Sequence, residues 1–144
     1  MSSDVRRMFD SELKPFEGIW LTSPSGEIAC AKAINRELFV PYSHSEEKKL
    51  AGHYFDCRVV GGTLFGRFER FDTGESGAVL LAASENFTLK GGWWSDADLP
   101  EIARRDITAL TVSLPRMVQT VWVLMPKAKT PPWATQYFLE WPSK

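Results

Sequence analysis

The sequence predicts a single mainly β domain: an antiparallel meander barrel or strongly curved sheet of eight to nine strands, with short helices at both ends. The first observation behind this prediction is that short apolar segments alternate with turn-forming residues roughly every 8–12 residues, as in barrels and sandwiches. The second is that 144 residues, 44% of them apolar, have the length and the apolar content of one folded core. We therefore expect one β-barrel domain over residues 1–144.

The predicted elements begin with an amphipathic helix over residues 4–13, whose apolar residues recur at helical spacing and which ends before Pro15. The barrel is predicted over residues 16–125, interrupted by a helical turn over 98–105. A C-terminal helix is predicted over 131–141, because a pair of prolines suits its first turn. The predicted strands are 16–22, 27–34, 36–42, 50–60, 63–71, 77–84, 87–94, 106–113 and 117–125.

Turn lengths predict how the central strands pair. A two-residue turn at Gly61-Gly62 places Asp56 opposite Arg67, and a two-residue turn at 85–86 sets the register of the next hairpin. One face of the sheet is then apolar and the other mostly charged. The apolar face is predicted to carry Phe55, Cys57, Val59, Leu64, Phe68, Leu80, Ala82, Phe87, Leu89 and Trp93. The charged face is predicted to carry Asp56, Arg58, Arg67, Glu69, Thr88 and Lys90, together with Phe65, Val79, Leu81 and Trp94.

The apolar face mixes glycines and alanines with large side chains, which leaves volume that either those side chains or a ligand must fill. The first functional hypothesis is a binding module that encloses a small apolar or amphipathic molecule, with His53 and Arg70 at the mouth to orient a polar headgroup. An interior without a void larger than a water molecule would contradict it. The expected ligand-binding residues are His53, Phe55, Cys57, Phe68, Arg70, Leu80, Leu89 and Trp93.

Two other functions stay open on the sequence. A small barrel enzyme would use acid–base groups at the barrel mouth, and those groups would have to face a sheltered cavity. A barrel with a filled core would instead be a structural or protein-interaction domain. The candidate acid–base residues are Asp56, Arg58, Arg67 and Glu69, with His53 nearby.

Charge and cysteine spacing exclude several other classes. A net charge of −1 and a pI of about 6.1 predict neither a nucleic acid nor a membrane as partner. Cys30 and Cys57 lack the spacing of a zinc site, so we expect no metal or cofactor, and Cys57 is expected to be a buried free thiol. No apolar run follows the first seven residues, so a signal peptide is not expected and the predicted location is cytoplasmic.

The segment Phe16-Glu17-Gly18-Ile19-Trp20 resembles the Gly-x-Trp opening of the calycins, the superfamily of lipocalins, fatty-acid-binding proteins and avidins. The resemblance implies a barrel that encloses a small apolar molecule. It also implies that Trp20 closes one end of the barrel and that Arg116 packs over it. The short helices before and after the predicted barrel suit a lipocalin-like layout.

The predicted C-terminal helix carries four large aromatic residues on one side. We expect this stripe to be buried, either on the outside of the chain's own barrel or in a homodimer. The stripe consists of Trp133, Tyr137, Phe138 and Trp141. The apolar partners predicted for it on the chain's own barrel are Phe65, Val79, Leu81 and Trp94.

Overall fold

The computed structural model describes residues 10–44, 50–85, 87–125 and 132. Eight antiparallel strands form a closed barrel in which each strand pairs with its neighbour in sequence and the last strand pairs with the first. The mainly β, antiparallel meander fold predicted from the sequence is therefore confirmed. The strands are β1 (Gly18–Ser23), β2 (Glu27–Ile34), β3 (Glu37–His44), β4 (Leu50–Val60), β5 (Thr63–Arg70), β6 (Ser76–Ser84), β7 (Thr88–Ser95) and β8 (Val118–Leu124).

A short helical segment precedes the barrel. It consists of one α-helical turn, α1 (Asp10–Leu13), followed by a 3-10 turn at Lys14–Phe16. Leu13 and Phe16 are buried in the same apolar cluster as the barrel interior, so this segment closes over one barrel end. The first part of the predicted helix over 4–13 lies outside the described residues, as does the predicted helix over 131–141 apart from Pro132.

Residues 96–117, which we call the strap, connect β7 to β8 across the outer face of the barrel. The strap contains α2 (Glu101–Arg105) and 3-10 turns at Asp96–Asp98 and Ile107–Ala109. It buries an outer cluster made by Phe65, Ala78, Leu80 and Trp94 of the barrel with Leu99, Ala103, Ile107 and Leu110 of the strap.

The strand predicted over 106–113 is wrong, because this stretch belongs to the strap. Asp106 caps the 3-10 turn by accepting a hydrogen bond from the Thr108 backbone N–H. Ile107 and Leu110 are three residues apart, and a 3-10 turn places such residues on one side. That side faces the barrel, where both residues are buried.

A β-bulge in β4 changes the predicted register of the central hairpin. The turn at 61–62 pairs Val60 with Thr63 as expected, but the pairing shifts between Phe55 and Arg58. Asp56, at a φ of +53°, supplies the extra residue. Phe55 rather than Asp56 therefore lies opposite Arg67, and Phe55 faces outward and is 37% exposed.

The β6–β7 hairpin has a longer loop than predicted. Ser84 pairs with Thr88, so three residues rather than two connect the strands, and Phe87 is 77% exposed in the loop at a φ of +55°. One extra residue turns every side chain of one strand to the other face of the sheet. Leu64 of β5 lies opposite Leu81, and Leu89 of β7 lies opposite Ala83. Val79 and Leu81 therefore face the interior, whereas Leu80 and Ala82, predicted to face inward, face outward.

Gly91 marks the tightest packing between β6 and β7. A Cβ atom at Gly91 would overlap the backbone carbonyl oxygen of Leu80, whereas one at Gly92 would meet the flexible Met117 side chain. Backbone must move in the first case and a side chain in the second. We expect Gly91→Ala to lower the free energy of unfolding by about 1–3 kcal/mol in urea titrations, and Gly92→Ala to cost less. Equal costs for the two variants would contradict this account of the packing.

Candidate functional site

The barrel interior has one polar end, which we define by Thr22, Ser25, Glu27, Tyr42, Tyr54, Phe68, Arg70, Trp93 and Thr120. An ion pair lies within it: Arg70 Nη1 is 2.9 Å from Glu27 Oε2, and the Glu27 side chain is only 3% exposed. Glu27 comes to the interior because it begins β2 on the same face as the inward alanines at 29 and 31. Arg70 ends β5 on the same face as Phe68.

Both charges of this pair are held by further contacts. Ser25 Oγ donates to Glu27 Oε1 at 3.3 Å. Arg70 Nε lies 3.4 Å from Glu75 Oε1, and its guanidinium carbon is 5.8 Å from the centre of the Tyr42 ring. The Arg70 charge is thus balanced by two carboxylates, so it is not available to orient a ligand headgroup in this conformation.

Aromatic rings fill the space next to the ion pair. The Tyr54 ring lies 5.2 Å from Tyr42, 6.1 Å from Phe68 and 5.1 Å from Trp122, and Phe68 lies 5.7 Å from Trp93. Burial raises the pKa of both tyrosines well above their ordinary value, which keeps the phenols neutral. The remaining cavity measures about 10 Å³, room for about one water molecule. The polar end is therefore filled.

A larger cavity lies at the opposite end of the barrel, beneath the N-terminal helical segment. We call it the Trp20 cleft; it is open to solvent and has a volume of about 560 Å³. Trp20 and Leu89 are each 2% exposed and belong to the apolar barrel interior that borders the cleft. The cleft is lined by Lys14, Pro15, Glu17, Trp20, Ala83, Ser84, Phe87, Thr88, Leu89 and Leu124.

Local contacts fix the walls of the Trp20 cleft. The Trp20 indole N–H donates to the Phe16 carbonyl oxygen at 3.0 Å, which ties the ring to the N-terminal segment. Glu17 Oε2 accepts a hydrogen bond from the Ala33 backbone N–H at 3.0 Å, so this carboxylate is bound to the barrel wall. Lys14 is exposed at the rim. The cleft therefore combines an apolar floor with a cationic side chain at its edge.

No protein-family model, curated protein or solved structure matched the chain. The closed barrel of eight antiparallel strands is compatible with the calycin-like fold that the Gly-x-Trp segment suggested.

Five of the eight predicted ligand-binding residues lie inside the barrel, but they do not form one pocket. Phe68, Arg70 and Trp93 line the filled polar end, and Leu89 lines the Trp20 cleft. Cys57 lies in the apolar interior, where burial raises the pKa of its thiol to about 12. This agrees with the predicted buried free cysteine.

The other three predicted ligand-binding residues face outward, so their assignment to the interior is corrected. His53 Nε2 lies 3.3 Å from Glu69 Oε1, and its ring stacks on Phe55 at 5.0 Å. Leu80 packs beneath the strap with Trp94. The register shifts described above account for these positions of Phe55 and Leu80.

The barrel-closing pair implied by the calycin resemblance is only half present. Trp20 packs in the interior beneath the N-terminal segment, as the resemblance implies. Arg116, however, is 74% exposed and its Nε lies 3.9 Å from Asp98 Oδ1 in the strap. Trp20 pairs with Leu124 at the far end of β8, so Arg116 lies toward the other end of the barrel and does not cover Trp20.

The candidate acid–base residues lie on the outer surface. Arg67 Nε is 3.7 Å from Asp56 Oδ2, and Arg67 Nη2 donates to the Arg104 carbonyl oxygen of the strap at 3.1 Å. His53 and Glu69 form a separate exposed pair. None of these residues lines the polar end or the Trp20 cleft. Asp56 lines a separate cavity of about 330 Å³, together with Glu37, Leu38, Phe39, Phe55 and Cys57. Arg58, Arg67, Glu69 and His53 are not part of its lining, so the candidate acid–base residues do not converge on one cavity.

Among the described residues, no three histidine, cysteine, aspartate or glutamate side chains come together in a way that could hold a metal ion. No helix of the described part of the chain is long and apolar enough to cross a membrane.

Glu27, Tyr42 and Tyr54 were not among the predicted site residues, nor was Lys14. The pattern of β2 does contain a signal for Glu27, because it shares a face with the alanines at 29, 31 and 33 and small residues in a strand suit a barrel interior. Tyr54 could be placed inside only by knowing the bulge in β4.

Proposed function

We propose that this barrel binds a small amphipathic molecule in the Trp20 cleft. The apolar part of the ligand packs on Trp20, Leu89 and Leu124, and its anionic group lies near Lys14. The observation that carries this proposal is the combination of a cavity of about 560 Å³ with an apolar floor of buried side chains. Small-molecule sites are usually concave, mostly apolar cavities of roughly 300–1,000 Å³ with a few polar groups.

The chemistry of the ligand follows from the lining. Apolar surface that leaves water contributes about 25 cal/mol per Å², so an aliphatic or aromatic body gives most of the affinity. Lys14 adds attraction for a carboxylate, sulfate or phosphate, but at an exposed rim this is worth only about 1 kcal/mol. A medium-chain fatty acid fits this description, and we use dodecanoate as the anionic probe and dodecanol as the neutral one.

The neighbouring residues Ala82 and Ala83 offer a matched pair of variants for testing the site. Ala83 lines the cleft, whereas Ala82 faces outward, opposite Thr63 and Lys90. We expect Ala83→Trp to fill the cleft and abolish the thermal stabilisation by dodecanoate, while Ala82→Trp keeps it. Thermal shift and calorimetric titration measure both. Saturable binding that survives Ala83→Trp unchanged would contradict the proposed site, and an unmodified chain that binds neither probe would favour the filled-core alternative.

The role of Lys14 is tested by reversing its charge. Lys14→Glu should weaken dodecanoate binding by roughly three- to tenfold, because about 1 kcal/mol of attraction is lost or turned into repulsion. Dodecanol affinity should stay unchanged, since this probe carries no charge. Calorimetric titrations of both probes measure the difference. Equal weakening of both probes would mean that Lys14 acts through the shape of the cleft and not through its charge.

A further inference from the structure

Strands β3 and β4 do not pair along their full lengths. Their register runs from Val40 opposite Tyr54 to Ser43 opposite Leu50. Within the described part of the chain, residues 37–39 of β3 pair only with β2, and the pairs made by residues 55–60 of β4 are all with β5. The barrel wall therefore opens between the start of β3 and the end of β4.

The bulge in β4 lies at this opening. Asp56 has a φ of +53°, and the pairing of β4 with β5 shifts between Phe55 and Arg58. A bulge bends its strand and increases the local twist, and an aspartate adopts the left-handed conformation more readily than most residues. The bend occurs where β4 stops pairing with β3, so a backbone feature of the strand itself accompanies the opening.

The opening holds a cavity of about 330 Å³, which we call the β3–β4 cavity. Its floor is apolar, because Leu38 and Cys57 belong to the barrel interior and are 4% and 6% exposed. Two phenylalanines complete the apolar part: Phe39 is half-buried and Phe55 is 37% exposed. The volume lies within the roughly 300–1,000 Å³ that is typical of small-molecule sites.

The charges at the β3–β4 cavity are negative. Its described lining residues include two carboxylates, Glu37 and Asp56, and no cation. Arg67 Nε lies 3.7 Å from Asp56 Oδ2 and offsets that charge, whereas Glu37 is exposed at the mouth. Lys32 of β2 lies opposite Phe39 but is not part of the lining. A ligand with a positive group is therefore favoured.

We propose that the β3–β4 cavity binds a small organic ammonium ion with an apolar body. The apolar body packs on Leu38 and Cys57, and the ammonium group lies near the Glu37 carboxylate. Aromatic rings such as those of Phe39 and Phe55 attract cations through their faces, and a carboxylate accepts charge-assisted hydrogen bonds from an ammonium group. The site is separate from the Trp20 cleft, with which it shares no described lining residue.

The first test compares phenethylammonium with 2-phenylethanol, a neutral probe of similar shape. At pH 7.5 the amine is charged, like that of lysine. In ¹⁵N spectra of the full-length chain we expect saturable shifts of the backbone amides of residues 38–39 and 55–57, with a Kd of about 1 mM or lower. The neutral probe should bind roughly three- to tenfold more weakly.

Three outcomes of this titration would overturn the proposal. A chain that binds neither probe has no such site. Equal affinities would show that the cavity does not select a cation. Shifts centred on residues 83–84 and 87–89 would assign the probe to the Trp20 cleft. Binding of dodecanoate in that cleft is a separate measurement, so either proposal can fail without the other.

The charge is tested by Glu37→Gln with Glu69→Gln as its matched control. Both carboxylates are exposed, but only Glu37 lines the cavity. We expect Glu37→Gln to weaken phenethylammonium binding roughly three- to tenfold and to leave 2-phenylethanol unchanged, while Glu69→Gln changes neither. Equal effects of the two variants on phenethylammonium would reduce the preference to general surface charge and overturn the proposal.

The aromatic wall is tested by Phe55→Ala with Phe71→Ala as its control. Both rings contact the His53 ring, at 5.0 and 5.2 Å, but Phe71 does not line the cavity. Phe55→Ala should weaken phenethylammonium binding roughly tenfold, and Phe71→Ala should leave it unchanged. Equal weakening would contradict the site. If Phe55→Ala does not fold, the comparison of the two glutamine variants decides, since both replace exposed side chains.

Discussion

Arg70→Met is expected to lower the free energy of unfolding by about 3–5 kcal/mol, because it leaves a buried carboxylate without its partner. Glu27 is 3% exposed and depends on Arg70 Nη1 at 2.9 Å and on the Ser25 hydroxyl. Methionine has a similar length and keeps the apolar contacts of the arginine stem. Urea unfolding at pH 7 measures the loss.

The control for this prediction removes both charges. The double variant Glu27→Leu, Arg70→Met leaves no uncompensated charge in the interior, and it should recover most of the stability lost in Arg70→Met. Glu75→Gln removes only the more exposed partner of Arg70 and should cost no more than about 1 kcal/mol. A double variant no more stable than the single one would show that the polar end depends on packing and not on charge pairing.

Raising the pH from 9 to 12 should unfold the protein. Burial raises the pKa of Cys30 and Cys57 from 9.0 to about 12, and it raises the pKa of Tyr42 and Tyr54 above 10. The unfolded chain releases these protons first, so the stability contribution is complete below pH 9 and is lost as the pH rises toward 12. Between its pKa in the unfolded chain and its pKa in the folded protein, each group lowers the free energy of unfolding by about 1.4 kcal/mol per pH unit. The combined loss from four such groups is comparable to a total stability of roughly 5–15 kcal/mol.

Urea titrations at pH 7.5, 9, 10 and 11 measure this loss. The double variant Cys30→Ala, Cys57→Ala isolates the thiols, and its stability should decline less steeply between pH 9 and 10 than that of the parent. Tyr42→Phe should flatten the decline above pH 10. A parent whose free energy of unfolding stays constant up to pH 11 would contradict the buried, neutral state of all four groups.

The fold was predictable because it depends on features that lie close together in sequence. The alternation of apolar and polar residues and the turn residues at 61–62 specify strands and a meander without knowledge of distant contacts. The alternation of apolar and polar residues does not show where one extra residue enters a strand or a loop. Asp56 in the bulge and Phe87 in the hairpin loop each shift the pairing by one position, and each shift turns the side chains of a strand to the other face.

The polar end was predictable only in part, because its two charged residues lie on strands that do not pair with each other. The central hairpin predicts Arg70 at the barrel mouth, but its partner Glu27 is on β2, which is not a neighbour of β5 in the sheet. Only closure of the barrel brings the two strands face to face. The Gly-x-Trp motif indicates Trp20, whereas no motif indicates Lys14, because its position at the rim of the cleft depends on how the helical segment folds over the barrel end.

The most direct test of the account is a titration of the ¹⁵N-labelled chain with dodecanoate, followed through the indole N–H signals of its tryptophans. Trp20 borders the cleft and Trp93 the polar end, so the two rings report on opposite ends of the barrel. The account predicts saturable shifts of the Trp20 indole and of the backbone amides of residues 83–84 and 87–89, with Trp93 unchanged. Shifts centred on Trp93 and Thr120 with Trp20 unchanged would contradict it.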